Sequence, residues 1–235
     1  STRIYHVNSP TLKTPSKTNS KTPDQIVAEG LSLAIHEHRL APGTKLGEDE
    51  LSEIYGVSRT VIRAALHSLA HAQLIEIKRN RGASVAQPSL REAREVFEAR
   101  ELLEPRTARS AALAATPADI DLLERHIQDE HTALEDGDQG RALYLSGLFH
   151  IEISRMAGQA TIAAFVETLI ARSSLIIALY WRRESALCEK HAHHALVQAI
   201  SDGNGQLAEE LMHSHLVDLH SALDLREKPN RSTSL

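Results

Sequence analysis

Three histidines lie among apolar residues at helical spacing. His150 stands in LFHIEI, His193 shares a face with Leu196, Val197 and Ile200, and His215 lies in LMHSHLVDL on the face of Leu211 and Leu219. Inward imidazoles from three helices can offer neutral nitrogen ligands to a divalent ion such as Zn²⁺ and leave one coordination position open. Hydrogen-bonded core histidines would give the same pattern, and spacing alone does not separate the two readings. In HAHH, His191, His193 and His194 are neighbours whose side chains point about 100° apart, so only one or two can face inward. His126, His131 and His220 sit among charges and are expected to be solvated.

A second constellation is GVSRTVIRAAL, residues 56–66, where Ser58, Arg59, Thr60 and Arg63 occupy the start of an otherwise apolar helix. A short helix from Glu48 to Tyr55 precedes it, and the two are separated by a turn containing Gly56, which makes a helix-turn-helix. Such a motif enters the DNA major groove with the first two turns of its second helix. Arginine can bind guanine O6 and N7 there, while hydroxyls and helix N-terminal amides suit phosphate oxygens. Arg59 and Arg63 are therefore candidates for base or phosphate contact, and Ser58 and Thr60 for backbone positioning. Next come two short β-branched stretches, LIEI (74–77) and ASVA (83–86), joined by KRNRG, which predict a two-stranded wing. Its Lys78, Arg79, Asn80 and Arg81 can reach a neighbouring minor groove, with Gly82 permitting a tight loop.

These residues need elements to hold them. Thr22-Pro23 starts a first helix that ends before APGTKLG, read as a turn. After Pro88 the apolar residues recur at three and four throughout, predicting helices near 89–114, 117–136, 138–157, 160–184, 187–202 and 204–226. The expected fold is mostly α: a flexible tail (1–21), a winged helix-turn-helix (22–87), an all-helical bundle (88–227) and a flexible C-terminus (228–235). The net charge of −5 is uneven. Residues 88–235 hold fifteen Lys/Arg against twenty-three Asp/Glu, whereas within 59–81 the bases Arg59, Arg63, Lys78, Arg79 and Arg81 face only Glu76. That segment predicts a compact positive patch of the kind that attracts phosphate. A single cysteine, Cys188, excludes an intrachain disulfide framework, and no signal-like or membrane-length apolar run is evident, so a soluble, cytoplasmic protein is expected.

The stretch EDELSEIYGVSRTVIRAALHSLAHAQLIEIKRNRGASVA resembles the winged-helix region of GntR-type bacterial transcriptional regulators. The helical remainder, entered through VFEARELLEPRTARSAA, resembles the effector domain of their FadR-like, FCD subgroup. The resemblance spans roughly residues 22–226. It implies a homodimer, a double-stranded operator with two half-sites, and DNA affinity altered by a small metabolite; the expected function is a ligand-responsive regulator, of repressor type. It also implies DNA contacts at Ser58, Arg59, Thr60, Arg63 and the wing near Arg79 to Gly82. His150, His193 and His215 match three metal-ligand positions of metal-binding members, and Ser146 stands where those members carry an Asp, a poor replacement as a ligand. Arg100 matches an arginine facing the ligand cavity, which suits an acidic effector, although a salt bridge to a neighbouring glutamate is the simpler role for it. Many relatives carry a base where this chain has Asp49.

Two rival functions fit parts of the same sequence. A metal-dependent enzyme could use His150, His193 and His215, but no general base is placed for it: Glu152 lies on another face from His150, and neither HExxH nor a glycine-rich phosphate loop occurs. A metabolite-binding module whose winged helix contacts protein would lack salt-dependent DNA affinity. No enzymatic activity is expected.

Overall fold

The computed structural model describes residues 21–181 and 189–226. The expectations for the two terminal tails, for Cys188 and for the residues 182–188 that follow Trp181 lie outside the described residues.

The N-terminal part is built on α1 (Pro23–His36), α2 (Glu48–Tyr55) and α3 (Arg59–His71). Gln25 accepts the Thr22 backbone N–H at 2.9 Å, and Pro23 occupies the first turn, where a missing N–H costs nothing. Val27, Leu31 and Ile35 recur every four residues and are buried, so α1 lays one apolar stripe on α3. Gly56 ends α2 in the left-handed conformation, φ 63°, which glycine adopts without a Cβ penalty. Ser58 then caps α3 by accepting the Val61 N–H, and Ile62, Ala65, Leu66 and Leu69 supply its buried face.

The sheet has three strands where the sequence predicts two. β1 (Lys45–Leu46), β2 (Ile75–Lys78) and β3 (Gly82–Val85) are antiparallel in the order β1-β3-β2. Part of the stretch read as a turn thus forms an edge strand, with Lys45 opposite Ser84 and Leu46 opposite Ala83. Two residues are too few to show alternation, and only the long-range pairing defines the strand. The β2–β3 register places Lys78 opposite Gly82, so Arg79, Asn80 and Arg81 form the tip of the wing.

Six helices follow: α4 (Leu90–Ala114), α5 (Pro117–Glu135), α6 (Gln139–Met156), α7 (Ala160–Tyr180), α8 (Glu189–Ser201) and α9 (Gly205–Ser221). Side-chain caps start most of them, from Ser89, Thr116, Asp138 and Asn204. Phe97, Phe149, Ile176, Leu196, Met212 and Leu216 centre the core that the helices enclose. Two helices end earlier than periodicity predicts. Trp181 and Leu223 form an antiparallel bridge and the Asp224 N–H donates to the Tyr180 carbonyl at 2.8 Å, which draws both chain ends out of helical geometry. By length and composition α7 is apolar enough to cross a membrane, and here it packs against α1, α4 and α6.

The two parts meet where α1 ends. Leu175 of α7 is buried within the hydrophobic cluster of the winged helix. Around it, the His38 Nε2 lies 3.0 Å from the Ser174 carbonyl, the His36 ring stacks on Tyr144, and Arg141 pairs with Glu37 at 3.7 Å. A Cβ on Gly140 would stand 1.9 Å from the Glu37 carbonyl oxygen, so α6 can approach α1 this closely only with glycine there. The linker is tied down as well: the Tyr180 hydroxyl donates to the Pro88 carbonyl at 2.8 Å, and Arg172 pairs with Glu92 at 2.7 Å.

Two outcomes follow from this joint. Gly140→Ala should lower thermal stability by about 1–3 kcal/mol with little change in helix content, because backbone must move to admit one methyl group; an unchanged calorimetric midpoint would refute the close approach. Burial, then the neighbouring His38, lowers the His36 pKa from 6.5 to about 4. The unfolded chain thus binds this proton first, so stability is lost as pH falls from about 6.5 towards 4. Melting temperature measured across that range should fall less steeply in His36→Gln than in the parent chain.

Candidate metal centre and nucleic-acid interface

His150 of α6, His193 of α8 and His215 of α9 are all buried, and one ligand atom from each lies within 4.8 Å of the others. Their Nε2 atoms converge: that of His215 is 3.2 Å from that of His150 and 3.3 Å from that of His193. The opposite ring nitrogens are held by carboxylates. His150 Nδ1–H donates to Glu104 Oε2 at 2.6 Å, and His193 Nδ1 meets Glu130 Oε2 at 3.2 Å. Phe149 stacks on the His193 ring at 4.2 Å and fixes its plane.

Electrostatics keep these rings neutral. Burial, then His194 and Arg100, lowers the His193 pKa to about 3; burial, then the other two imidazoles, carries His215 well below its ordinary value. Burial also lowers His150 against the pull of Glu104. Burial opposes ionisation of Glu104, yet Arg100 and then His150 hold its carboxyl at about 2, so it stays charged. Glu130 lacks a guanidinium beside it, and burial raises its pKa to about 7.

The donor set fits a metal ion. With Nδ1–H given to Glu104, His150 Nε2 is a lone pair, and the single Nε2–H that neutral His215 can carry satisfies one neighbour only. Ligands at roughly 2.0–2.1 Å around tetrahedral zinc stand about 3.3 Å apart, which matches the separations here. The carboxylates behind two of the three imidazoles, Glu104 behind His150 and Glu130 behind His193, give the arrangement that orients metal-bound histidine. Ser146, four residues before His150 on α6, is buried and lines the adjoining cavity.

That cavity is about 360 Å³ and has walls from both parts of the chain. Arg100, Ser146, His150 and Ser173 line it from the helical side; Ser32, His36, His38 and Leu74 line it from the winged helix. Arg100 is on the wall but not free: its Nε is 2.6 Å from Glu104 Oε1 and its Nη2 3.3 Å from Oε2. The salt bridge considered from sequence is therefore present. Sequence reasoning missed Glu104 and Glu130 as the residues that hold the histidines. The ARELLE spacing, which sets Glu104 four residues after Arg100, carried a signal for the first. Two solvated histidines need correction. His220 is half-buried, 2.7 Å from Glu101 and packed on Phe97; His126 is half-buried with an unpartnered Nδ1. His220 lies where α9 packs on α4 and His126 where α5 packs on α6, so the neighbouring helix covers each despite its charged sequence neighbours. His131 is partly exposed beside Glu135, and His191 and His194 are both exposed on the outside of α8, leaving His193 inward.

On the winged helix, Ser58, Arg59, Thr60 and Arg63 are exposed at the start of α3, and Lys78, Arg79, Arg81 and Gly82 are exposed on the hairpin. The patch is less positive than a charge count over 59–81 suggests. The turn at Gly56 brings the first turn of α2 against the first two turns of α3, where Asp49 pairs with Arg59 and Glu48 lies 2.8 Å from Arg63. Glu76 pairs with Lys78 at 2.7 Å. Among the described residues, Arg79 and Arg81 form no ion pair.

Comparison with known proteins places the same two parts together. Residues 23–85 match the model of bacterial regulatory proteins of the gntR family, and residues 95–218 match the FCD domain. The chain is 30% identical over 214 residues to the galactonate operon transcriptional repressor of Escherichia coli K12, covering 80% of this chain and 90% of that one. It is 26% identical over 211 residues to the HTH-type transcriptional regulator LutR of Bacillus subtilis, covering 80% and 95%. Among solved structures, a GntR transcriptional regulator from Rhodococcus sp. RHA1 superposes with a TM-score of 0.75 at 20% identity, over 84% of this chain and 95% of that one. E. coli McbR/YncC gives 0.73 at 21% identity, over 86% and 99%.

His215→Ala should abolish stoichiometric Zn²⁺ uptake, and Glu130→Gln should weaken it about 10–100-fold by loosening His193. Competition with a chromophoric chelator checks both, and full uptake by His215→Ala would exclude this cluster as the binding site.

Proposed function

The chain belongs to the gntR family of bacterial regulatory proteins and carries an FCD domain, and from that premise we propose that this DNA-binding transcriptional regulator is a homodimeric repressor whose operator affinity is set by a small acidic metabolite. Its relatives are transcriptional regulators, and the chain is a regulator and not an enzyme. The observation that carries the proposal is the cavity walled by both parts of the chain. A molecule there touches His150 and Ser146 on one side and His36 and His38 on the other. It therefore favours one arrangement of winged helix on helical domain over another, and by linkage DNA affinity changes by the same free energy.

In this reading residues 22–87 bind DNA and residues 88–227 bind effector and partner. His150, His193 and His215 hold a divalent ion such as Zn²⁺, with Ser146 beside it. When bound, the ion would supply a fixed positive charge that attracts an anionic oxygen of the effector. Ser146 orients a polar group of the effector, and Arg100 adds positive potential through the guanidinium N–H groups that Glu104 leaves unused. A relative named for repression of a galactonate operon supports both the repressor sense and an acidic effector. Leu102, Leu113 and Phe165 are large apolar side chains left exposed on the helical domain, at 78, 75 and 60%, which supports a partner surface there. A dimer presents two copies of α3, hence an operator with two half-sites. Arg59 and Arg63 read bases, Ser58 and Thr60 position the backbone, and Lys78, Arg79, Arg81 and Gly82 approach the neighbouring groove. Action on bacterial DNA supports a cytoplasmic location.

Selection of bound duplexes from a random library tests the reading. Enrichment of a palindrome is expected, and Arg59→Ala should weaken binding to it by about 1–3 kcal/mol and relax sequence choice at one position. Loss of equal size on every duplex would make Arg59 a phosphate contact, and no enrichment by folded dimer with or without acidic metabolites would sink the proposal.

A further inference from the structure

The arginines assigned to base reading are each held by an acid of the preceding helix. Asp49 meets Nη2 of Arg59, and Glu48 Oε2 lies 2.8 Å from Nε of Arg63. All four groups are open to solvent, the arginine side chains at 59 and 58% and those of Asp49 and Glu48 at 73 and 37%. Pairs this exposed contribute little to folding. Neither acid caps the other helix or fills a core position, so their placement has no structural explanation beyond the first-turn preference of α2 for negative charge. Glu50 meets that preference too, yet forms no ion pair among the described residues.

We infer that Asp49 and Glu48 are specificity-determining residues that hold Arg59 and Arg63 away from phosphates of non-cognate DNA. The inference rests on the assignment of those two arginines to DNA contact. A guanidinium has five N–H donors. With Nη2 of Arg59 and Nε of Arg63 taken by carboxylates, each arginine keeps enough free donors to bind guanine O6 and N7 without releasing its acid. On a cognate site the ion pair and the base contact coexist. A phosphate, in contrast, competes for the same charge. Swapping carboxylate for phosphate gains little, and it strands Asp49 or Glu48 beside a polyanion of like sign. Non-cognate binding is thereby weakened while cognate binding is spared, and the uncompensated Arg79 and Arg81 carry the remaining non-specific attraction.

The test uses the full-length dimer, a random-sequence duplex and the operator recovered by selection, with affinity measured against salt. Asp49→Asn and Glu48→Gln should each bind the random duplex about 5–10-fold more tightly at roughly 0.1 M salt, with the slope of log K against log salt steeper by about 0.9 as one more phosphate is engaged. Operator affinity should change by less, so the ratio of the two affinities shrinks. Glu50→Gln removes the same charge from the same turn without freeing an arginine, and it should leave that ratio unaltered. Melting temperature confirms that each variant is folded. Three results overturn the inference: variants that bind random duplex as the parent does, variants that lose operator affinity in proportion, which makes the acids props for the arginines, or a Glu50→Gln effect of equal size, which reduces the matter to net charge. A parent protein with no salt-dependent duplex affinity would instead defeat the DNA-contact assignment on which the inference rests.

Discussion

The helical domain is organised around one ionised carboxylate with no access to water. Glu104, fully buried on α4, would be untenable alone, since removing a charge from water costs several kcal/mol even after relaxation. Arg100, one turn earlier on the same helix, answers it through two N–H groups, and His150 of α6 supplies a third donor. These contacts set the separation of α4 and α6 as firmly as the apolar packing does. They also choose the tautomer of His150, because an Nδ1–H given to Glu104 leaves Nε2 as the lone pair that faces His215. Glu130 repeats the arrangement for His193 from the opposite wall, without a guanidinium, and its carboxyl is correspondingly easier to protonate. The site is a preorganised set of donors whose geometry is paid for by a buried network.

Much of this was legible in the chain because it is local. Helix starts near 22, 58, 89, 117 and 204 are legible because an apolar stripe sets in at each, and the structure places helices there. Register with Leu196, Val197 and Ile200 made His193 a candidate for the inward direction, but the choice among the histidines of HAHH is made only by the packing of α8. What escaped depends on contacts between distant segments. β1 exists only because Lys45 and Leu46 find Ser84 and Ala83. Glu130 reads as one more charge on an amphipathic helix until α8 brings His193 to it. The acids that offset Arg59 and Arg63 lie ten and fifteen residues upstream, outside any window in which the reading helix appears strongly basic. His126 and His220 mislead in the opposite sense, since charged sequence neighbours do not report what packs above them.

The cavity explains how these local features become one device. Its walls belong to both parts of the chain, and two of its histidines, His36 and His38, lie at and just beyond the end of the first helix of the winged domain. In the proposed reading, contact between the effector cavity and the DNA-binding part is therefore direct, with no relay of side chains intervening. A pocket confined to the helical bundle would need such a relay, and the coupling would be spread over more residues.

Leu175 points to a limit on modular exchange. Its side chain is nearly inaccessible, yet it leaves its own helix bundle to complete the hydrophobic cluster of the winged helix. Regulators of this build invite chimaeras in which one receptor is grafted onto another reader, and a graft made at the linker would cut through a shared core. A foreign winged helix must bring a socket for this leucine in its own apolar cluster, or the helical domain must surrender the leucine. Compatible halves are thus matched by an apolar key as well as by chain connectivity.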